Sequence, residues 1–244
     1  VLFGTQVHAV NLEGALAWIR NRLTDRTPAY IVTLNGALLV QAARDEELRD
    51  LVNGAGLVTA DGIGVVVAAR ILGVAVSERV AGIDLAVALM GVAAHAGYRV
   101  FLLGGAHGVA DDTAAELQRR YTGLRVIGTH HGFFTPDEEP AVLARIRGAR
   151  PDILLVALGA PRQERWMRRW CTDLGVPVSV GVGGSFDVIA GRVPRAPRWM
   201  QRTGLEWLYR VVHEPRRWQV IKTIPPLFWM AARQRLRRSG VPAA

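Results

Sequence analysis

The residues of this chain that could carry chemistry fall in short groups, each closing a run of apolar residues. Thr33 and Asn35 close the first run, Asp61 the second, and Gly104-Gly105 the third. Gly159, Arg162, Gln163 and Glu164 close another, and Gly183, Gly184 and Asp187 the last. A carboxylate such as Asp61 can take the proton of an attacking hydroxyl. Glycine loops bring backbone amides close to an anion, and a helix that starts after such a loop favours negative charge. Any one group is weak evidence; five that converge on one rim would make a site.

Each group also has a plainer reading. Asp61 and Asp187 are of a type that caps helices. Gln163-Glu164 would suit a first helical turn, where an acid meets the helix dipole, and Gly183-Gly184 would suit a tight turn. Gly104-Gly105-Ala106-His107-Gly108 resembles a dinucleotide loop, but its glycines do not make the full G-x-G-x-x-G fingerprint. About 20 residues further on, where a ribose-binding acid would stand, the chain reads Ile127-Gly128-Thr129-His130. A bound NAD is therefore disfavoured, whereas a nucleoside diphosphate needs no such acid.

Other chemistries find no support. His130 and His131 are adjacent, so on a strand they point to opposite faces, and His8, His95, His107 and His213 are scattered. No Cys/His/carboxylate ligand spacing, Asp-x-Asp pair or G-x-S-x-G serine is present. Neither a metal nor a cofactor is expected. Cys171 is the one cysteine, which rules out an internal disulfide and suits a reducing compartment.

The elements that must position these residues alternate between β-branched runs and helical patterns, as in a mostly parallel sheet. Strands are predicted at Tyr30–Thr33, Leu57–Ala60, Arg99–Leu103, Arg125–Gly128, Asp152–Leu158 and Pro177–Val182. Helices are predicted from Gly36 to Arg44, from Asp61-Gly62 to Leu72, from Gly104-Gly105 to Tyr121, and from Pro161. In such sheets ligands bind outside the carboxyl ends of the strands, which is where the polar groups fall. The fold class is α/β.

Charge divides the chain in two. Residues 1–194 carry 19 basic and 19 acidic side chains, whereas residues 195–244 carry 11 basic against Glu206 and Glu214. The whole net charge of +9 lies in that second part, with Trp199, Trp207, Trp218 and Trp229. Pro194–Pro197 marks the boundary between a catalytic domain, 1–194, and a basic, Trp-rich helical appendage, 195–244. No apolar run reaches the roughly 20 residues that cross a bilayer, and no secretory signal is expected. Ile224, Leu227, Phe228 and Ala231 fall at helical spacing before Arg233, Arg235, Arg237 and Arg238, an amphipathic interfacial pattern. Near an anionic membrane each cation contributes about 1 kcal/mol, and tryptophan suits the same depth. RNA binding would use the same residue types, but no nucleic-acid motif is present. A solvated basic helix pair explains the charge and not the tryptophans.

Ordered blocks run through the chain: Thr33-Leu34-Asn35, Ala60-Asp61-Gly62, Glu78-Arg79-Val80-Ala81-Gly82-Ile83-Asp84 and Phe101-Leu102-Leu103-Gly104-Gly105. After them come Leu158-Gly159-Ala160-Pro161-Arg162-Gln163-Glu164, Val182-Gly183-Gly184-Ser185-Phe186-Asp187 and Arg195-Ala196-Pro197-Arg198-Trp199. The last are Gly204-Leu205-Glu206-Trp207-Leu208-Tyr209-Arg210 and Glu214-Pro215-Arg216-Arg217. Together they resemble the WecG/TagA/CpsF glycosyltransferases, glycosyltransferase family 26, over essentially the whole chain. Ala60 stands where proline is common in that family, and Ala81 where threonine is common.

The resemblance implies a Rossmann-like domain with a membrane-touching appendage, peripheral on the cytoplasmic face of the cell membrane. It implies inverting, metal-independent transfer from a UDP-sugar to a polyprenyl-diphosphate-linked sugar, in assembly of a cell-surface polysaccharide or wall polymer. Asp61 then takes the place of the catalytic base, with Thr33 and Asn35 beside it. Arg79, Asp84, Gly104, Gly105, Gly159, Gln163, Glu164, Gly183, Gly184 and Asp187 would serve the substrates, and Arg210, Arg216 and Arg217 the acceptor diphosphate. Arginine supplies nearly all the cations, Lys222 being the one lysine, and its fork suits diphosphate oxygens. The sugar (N-acetylmannosamine, its uronic acid or another hexose) and the oligomeric state, a homo-oligomer included, stay open. Two rival classes are a dinucleotide-dependent oxidoreductase and a non-catalytic membrane or RNA adaptor.

Overall fold

The computed structural model describes residues 1–76, 78–213, 218 and 221–238. Six strands form one sheet: β1 (Ala29–Leu34), β2 (Leu57–Ala60), β3 (Arg99–Gly104), β4 (Arg125–His130), β5 (Ile153–Ala157) and β6 (Val178–Gly181). Each predicted strand is present, with ends shifted by two residues at most. All the pairings are parallel, and the order is β2-β1-β6-β5-β3-β4. The alternation of side chains along each strand sends successive residues to opposite faces. Tyr30, Val32 and Leu34 of β1 thus enter one core and Ile31 the other, as do Phe101 and Leu103 against Val100 and Leu102 in β3.

Helices cover both faces, which is why the central strands read as continuous apolar runs. One face is closed by α2 (Gly36–Arg44), α3 (Glu46–Asn53), α4 (Ile63–Ile71), α7 (Glu139–Ala149) and α8 (Arg162–Leu174). The other is closed by α1 (Leu12–Asp25), α5 (Gly82–Ala96), α6 (Val109–Arg120) and α9 (Ser185–Ile189). Because every strand runs the same way, the turns into α2, α4, α6, α8 and α9 all lie along one edge. Gly104 lies on that edge with φ +135°, where a Cβ would overlap the Ala157 carbonyl. Only glycine lets β3 and β5 run side by side to this point. Cys171 is buried in the first core, and that burial pushes its thiol up to about 11, out of nucleophilic range.

After the irregular stretch 194–197 come α10 (Arg198–Thr203), α11 (Glu206–His213) and α12 (Ile224–Arg238). They grip α4 from end to end. A Cβ on Gly204 would lie 2.5 Å from Ile63, and the Leu227 Cδ2 lies 3.0 and 3.2 Å from where Gly64 and Gly36 would carry theirs. At the far end Arg235 Nη1 donates to the Ile71 carbonyl at 3.0 Å. This corrects one expectation. The stripe of Leu227 and Ala231 is buried in the first core and does not face lipid, because the two glycines leave a notch that fits it. The outward surface carries instead Trp199, Trp218 and Trp229, each more than half exposed, together with Val212 and Leu236. Among the described residues no helix is long and apolar enough to cross a membrane.

Candidate active site

The parallel register of β1 and β2 pairs Leu34 with Ala60, and the Asp61 amide donates to the Leu34 carbonyl at 2.8 Å. Asn35 and Asp61, the next residue of each strand, therefore stand side by side at the carboxyl edge. Their roles differ. The Asn35 side chain accepts the Leu38 amide at 2.9 Å and caps α2. The cap position of α4 is held by Gly62, and Asp61 stands one residue before it. Asp187 likewise lies off the cap position, inside α9, where Gly184 is the cap residue.

Thr33 lies one layer deeper. Its hydroxyl is buried and donates to the Gly181 carbonyl at 2.8 Å, joining β1 to β6 directly beneath the edge. The first residue of α5, Gly82, sits on that hydroxyl, since a Cβ there would be 3.0 Å from Thr33 Oγ1. The Val80 amide donates to the Ala60 carbonyl at 2.9 Å, which brings Arg79 beside the end of β2.

Arg79 opens a network of alternating charge. It pairs with Glu206 at 2.9 Å and with Asp84 at 3.8 Å. Arg195 contacts the same two acids, Asp84 closely and Glu206 at 3.8 Å. Glu206 is 8% exposed and Arg79 only partly so, and the two residues from beyond Pro194 cross to two from the preceding part. Sequence reading named Arg79 and Asp84 but missed Arg195 and Glu206. Their signal was present, in that Glu206 is one of only two acids among the 11 cations of that segment. Arg216 and Arg217 lie outside the described residues, as does the side chain of Arg210.

Across β6 the glycine loops form the other half of the edge. Two expectations of amides offered to a ligand are corrected here. The Gly105 amide donates to the Ala157 carbonyl at 3.0 Å, and the Gly183 amide to Gln163 Oε1 at 3.0 Å. Gln163 is itself buried, and its Nε2 donates to Glu164 Oε1 at 2.8 Å. It therefore ties α8 to the β6 loop from below. Glu164 is fully buried, its Oε2 has no hydrogen-bond partner among the described residues, and desolvation holds its carboxyl above the usual carboxylate range. Gly159, with φ +78°, turns β5 into α8.

The histidines were read as scattered, and the structure corrects that as well. His107, from the loop before α6, packs against His131 at 3.8 Å between ring centres with the planes tilted by 40°, and His130 lies 4.4 Å from His131. The sequence could not show this, because the meeting of the loops that follow β3 and β4 is set by packing at the edge. Among the described residues no three His, Cys, Asp or Glu side chains form a metal-holding group.

The edge thus has a carboxylate, Asp61, and an arginine-rich network on one side and glycine turns with clustered imidazoles on the other. Relatives of known activity share the chain. It is 33% identical over 216 residues to an N-acetylglucosaminyldiphosphoundecaprenol N-acetyl-beta-D-mannosaminyltransferase of Bacillus subtilis, covering 88% of this chain and 84% of that one. It is 35% identical over 197 residues to the enzyme of the same name from Bacillus spizizenii, covering 81% and 76%. The family model of the glycosyl transferases called WecG/TagA/CpsF matches residues 1–241, and the chain belongs to that family.

Proposed function

We propose that this glycosyltransferase moves an N-acetylmannosamine-type sugar from a UDP-sugar to a polyprenyl-diphosphate-linked saccharide, with inversion at the anomeric carbon. The observation that carries the reading is the side-by-side placement of Asn35 and Asp61 beside Arg79. The names of the two Bacillus relatives supply the substrate class.

In this reading Asp61 takes the proton from the acceptor hydroxyl as its oxygen bonds to the anomeric carbon. The bond from that carbon to the donor phosphate breaks, and UDP leaves with the electron pair. Attack from the face opposite UDP inverts the centre. Negative charge that grows on the diphosphate needs fixed positive groups. The helix N-termini along the edge and the arginines, with Arg210, Arg216 and Arg217 nearest the acceptor, would supply them without a metal ion. Thr33, Gln163 and Glu164 act beneath the substrates and hold the edge in shape. Asn35 keeps the start of α2 in place next to the base, and Asp84 orients Arg79. Gly104, Gly105, Gly159, Gly183, Gly184 and Asp187 border the donor.

The outward tryptophans and the cations of residues 195–244 would seat the protein on an anionic membrane, where the lipid-linked acceptor resides. The test is a panel of UDP-sugars offered with a synthetic lipid diphosphate carrying N-acetylglucosamine, with EDTA present. Transfer of N-acetylmannosamine is expected. Turnover that vanishes in EDTA and returns with magnesium would overturn the metal-free scheme, and transfer of no sugar would overturn the reading itself.

A further inference from the structure

The mechanism above leaves the clustered histidines without a task, yet they lie at the half of the edge proposed to border the donor. The Gly132 amide, one residue past His131, donates to the Gly105 carbonyl at 2.8 Å, which pins the histidine loop to the glycine loop. A Cβ on Gly132 would be 3.0 Å from Leu158, the residue before Gly159. His130 Nδ1 lies 2.8 Å from the His131 carbonyl. A carbonyl only accepts, so Nδ1 carries the hydrogen and Nε2 is the atom that gains a proton. His131 Nδ1 is buried and has no hydrogen-bond partner among the described residues. His107, by contrast, is exposed.

Rings packed this closely cannot all be cations without mutual repulsion, and burial adds to the cost. His131 is accordingly held below the ordinary histidine range by burial first and by His107 and His130 next, with Glu138 pulling the other way. The surrounding charges are committed elsewhere. Glu138 accepts the amide and hydroxyl of Thr135, Asp111 accepts the Thr129 hydroxyl, and Arg192 is held by Asp112. Arg162 lies over the Phe134 ring at 5.1 Å and donates to its carbonyl at 3.4 Å. The His131 imidazole is thus disfavoured as a cation while the cluster is empty. A bound anion would change that balance.

We propose that His107, His130 and His131 form a proton-gated receptor for the diphosphate of the donor: binding the anion draws a proton from solvent onto the cluster, which then supplies a cation to the departing UDP. This rests on the sugar-nucleotide reading given above. The linkage has a fixed sign, because a negative ligand raises the affinity of nearby imidazoles for protons.

The experiment is calorimetry of UDP binding to the intact protein at several pH values, in two buffers of different ionisation enthalpy, with uridine and inorganic diphosphate as further probes. The expected result is net uptake of up to about one proton with UDP or diphosphate and none with uridine. Affinity for UDP should fall by up to about tenfold per pH unit above the histidine range. His107→Asn alters an exposed side chain and should reduce the uptake. His107→Asn, His130→Asn and His131→Asn together should abolish it and make affinity independent of pH. UDP binding without proton uptake, or uptake that survives in the triple variant, would overturn the proposal. Diphosphate binding with uptake but no UDP binding would uphold the receptor and defeat the sugar-nucleotide reading. Binding of neither would defeat both.

Discussion

Arg79 and Glu206 lie 2.9 Å apart although 127 residues separate them in sequence. The pair is braced by Arg195 and Asp84, and Val80, the neighbour of Arg79, is bonded to Ala60 at the end of β2. Glu206→Gln keeps the shape and removes the charge, which leaves two partly buried arginines facing one acid. Loss of about 1–3 kcal/mol is expected, read by urea denaturation. Acceptor KM should rise as Arg79 loses its orientation. Unchanged stability and kinetics would reduce the network to a surface ornament.

Asp61→Asn tests the base. General-base catalysis contributes about 10²–10⁴-fold, so turnover should fall in that range while UDP affinity and melting temperature stay near those of the parent. Since Gly62 and not Asp61 caps α4, a large loss of stability is not expected. Turnover equal to the parent would remove Asp61 from the mechanism.

Glu164→Gln tests the buried acid. Its folded pKa is raised, so between the ordinary carboxylate value and that raised value the folded chain holds a proton that the unfolded chain has released. Stability from this group is complete at low pH and is lost as pH rises through the folded pKa. The glutamine variant keeps an acceptor for Gln163 and does not titrate. It should be more stable than the parent near pH 8 and equal to it below about pH 4. Equal stability at both would show that Glu164 ionises alike in the two states.

Ala81 is the cap residue of α5 and offers no side-chain bond to its amides. The threonine common in the family at this position would supply one, so the departure costs a helix cap before it costs any substrate contact. Ala81→Thr should add about 0.5–2 kcal/mol and leave sugar preference alone. Destabilisation would show that the site, buried as Ala81 is, has no room for the larger side chain.

Trp199, Trp218 and Trp229 together changed to serine should weaken sedimentation with anionic vesicles, and raised salt should weaken the parent's. Point changes are the better probe than removal of the segment, which would uncover the Gly36 and Gly64 notch as well. Vesicle binding that survives both the changes and the salt would assign the surface another role.

Six strands and the edge on which the polar groups meet were legible in sequence, because β-branched runs and glycine turns are local signals. Strand order was not, since it depends on which crossovers pass which. The meeting of His107 with His131 was out of reach because it depends on how two loops pack at the edge. The position of Asp61 directly after β2 was legible. The partners of Thr33, Gln163 and Gly183 were not, because side-chain direction within the edge follows from packing between strands. The stripe of Leu227 and Ala231 was seen as apolar, but periodicity alone does not say whether such a face meets lipid or protein.

The seating of Leu227 against Gly36 and Gly64 also sets an order of assembly. The chain emerges from the ribosome N-terminus first, so α2 and α4 form long before α12 exists. Until then the notch beside Asp61 stands open, and its closure joins residues far apart in sequence, a slow kind of contact to make. The notch is therefore filled only after synthesis has passed α12. A nascent chain with all six strands in place still carries an apolar groove that a holding chaperone could occupy.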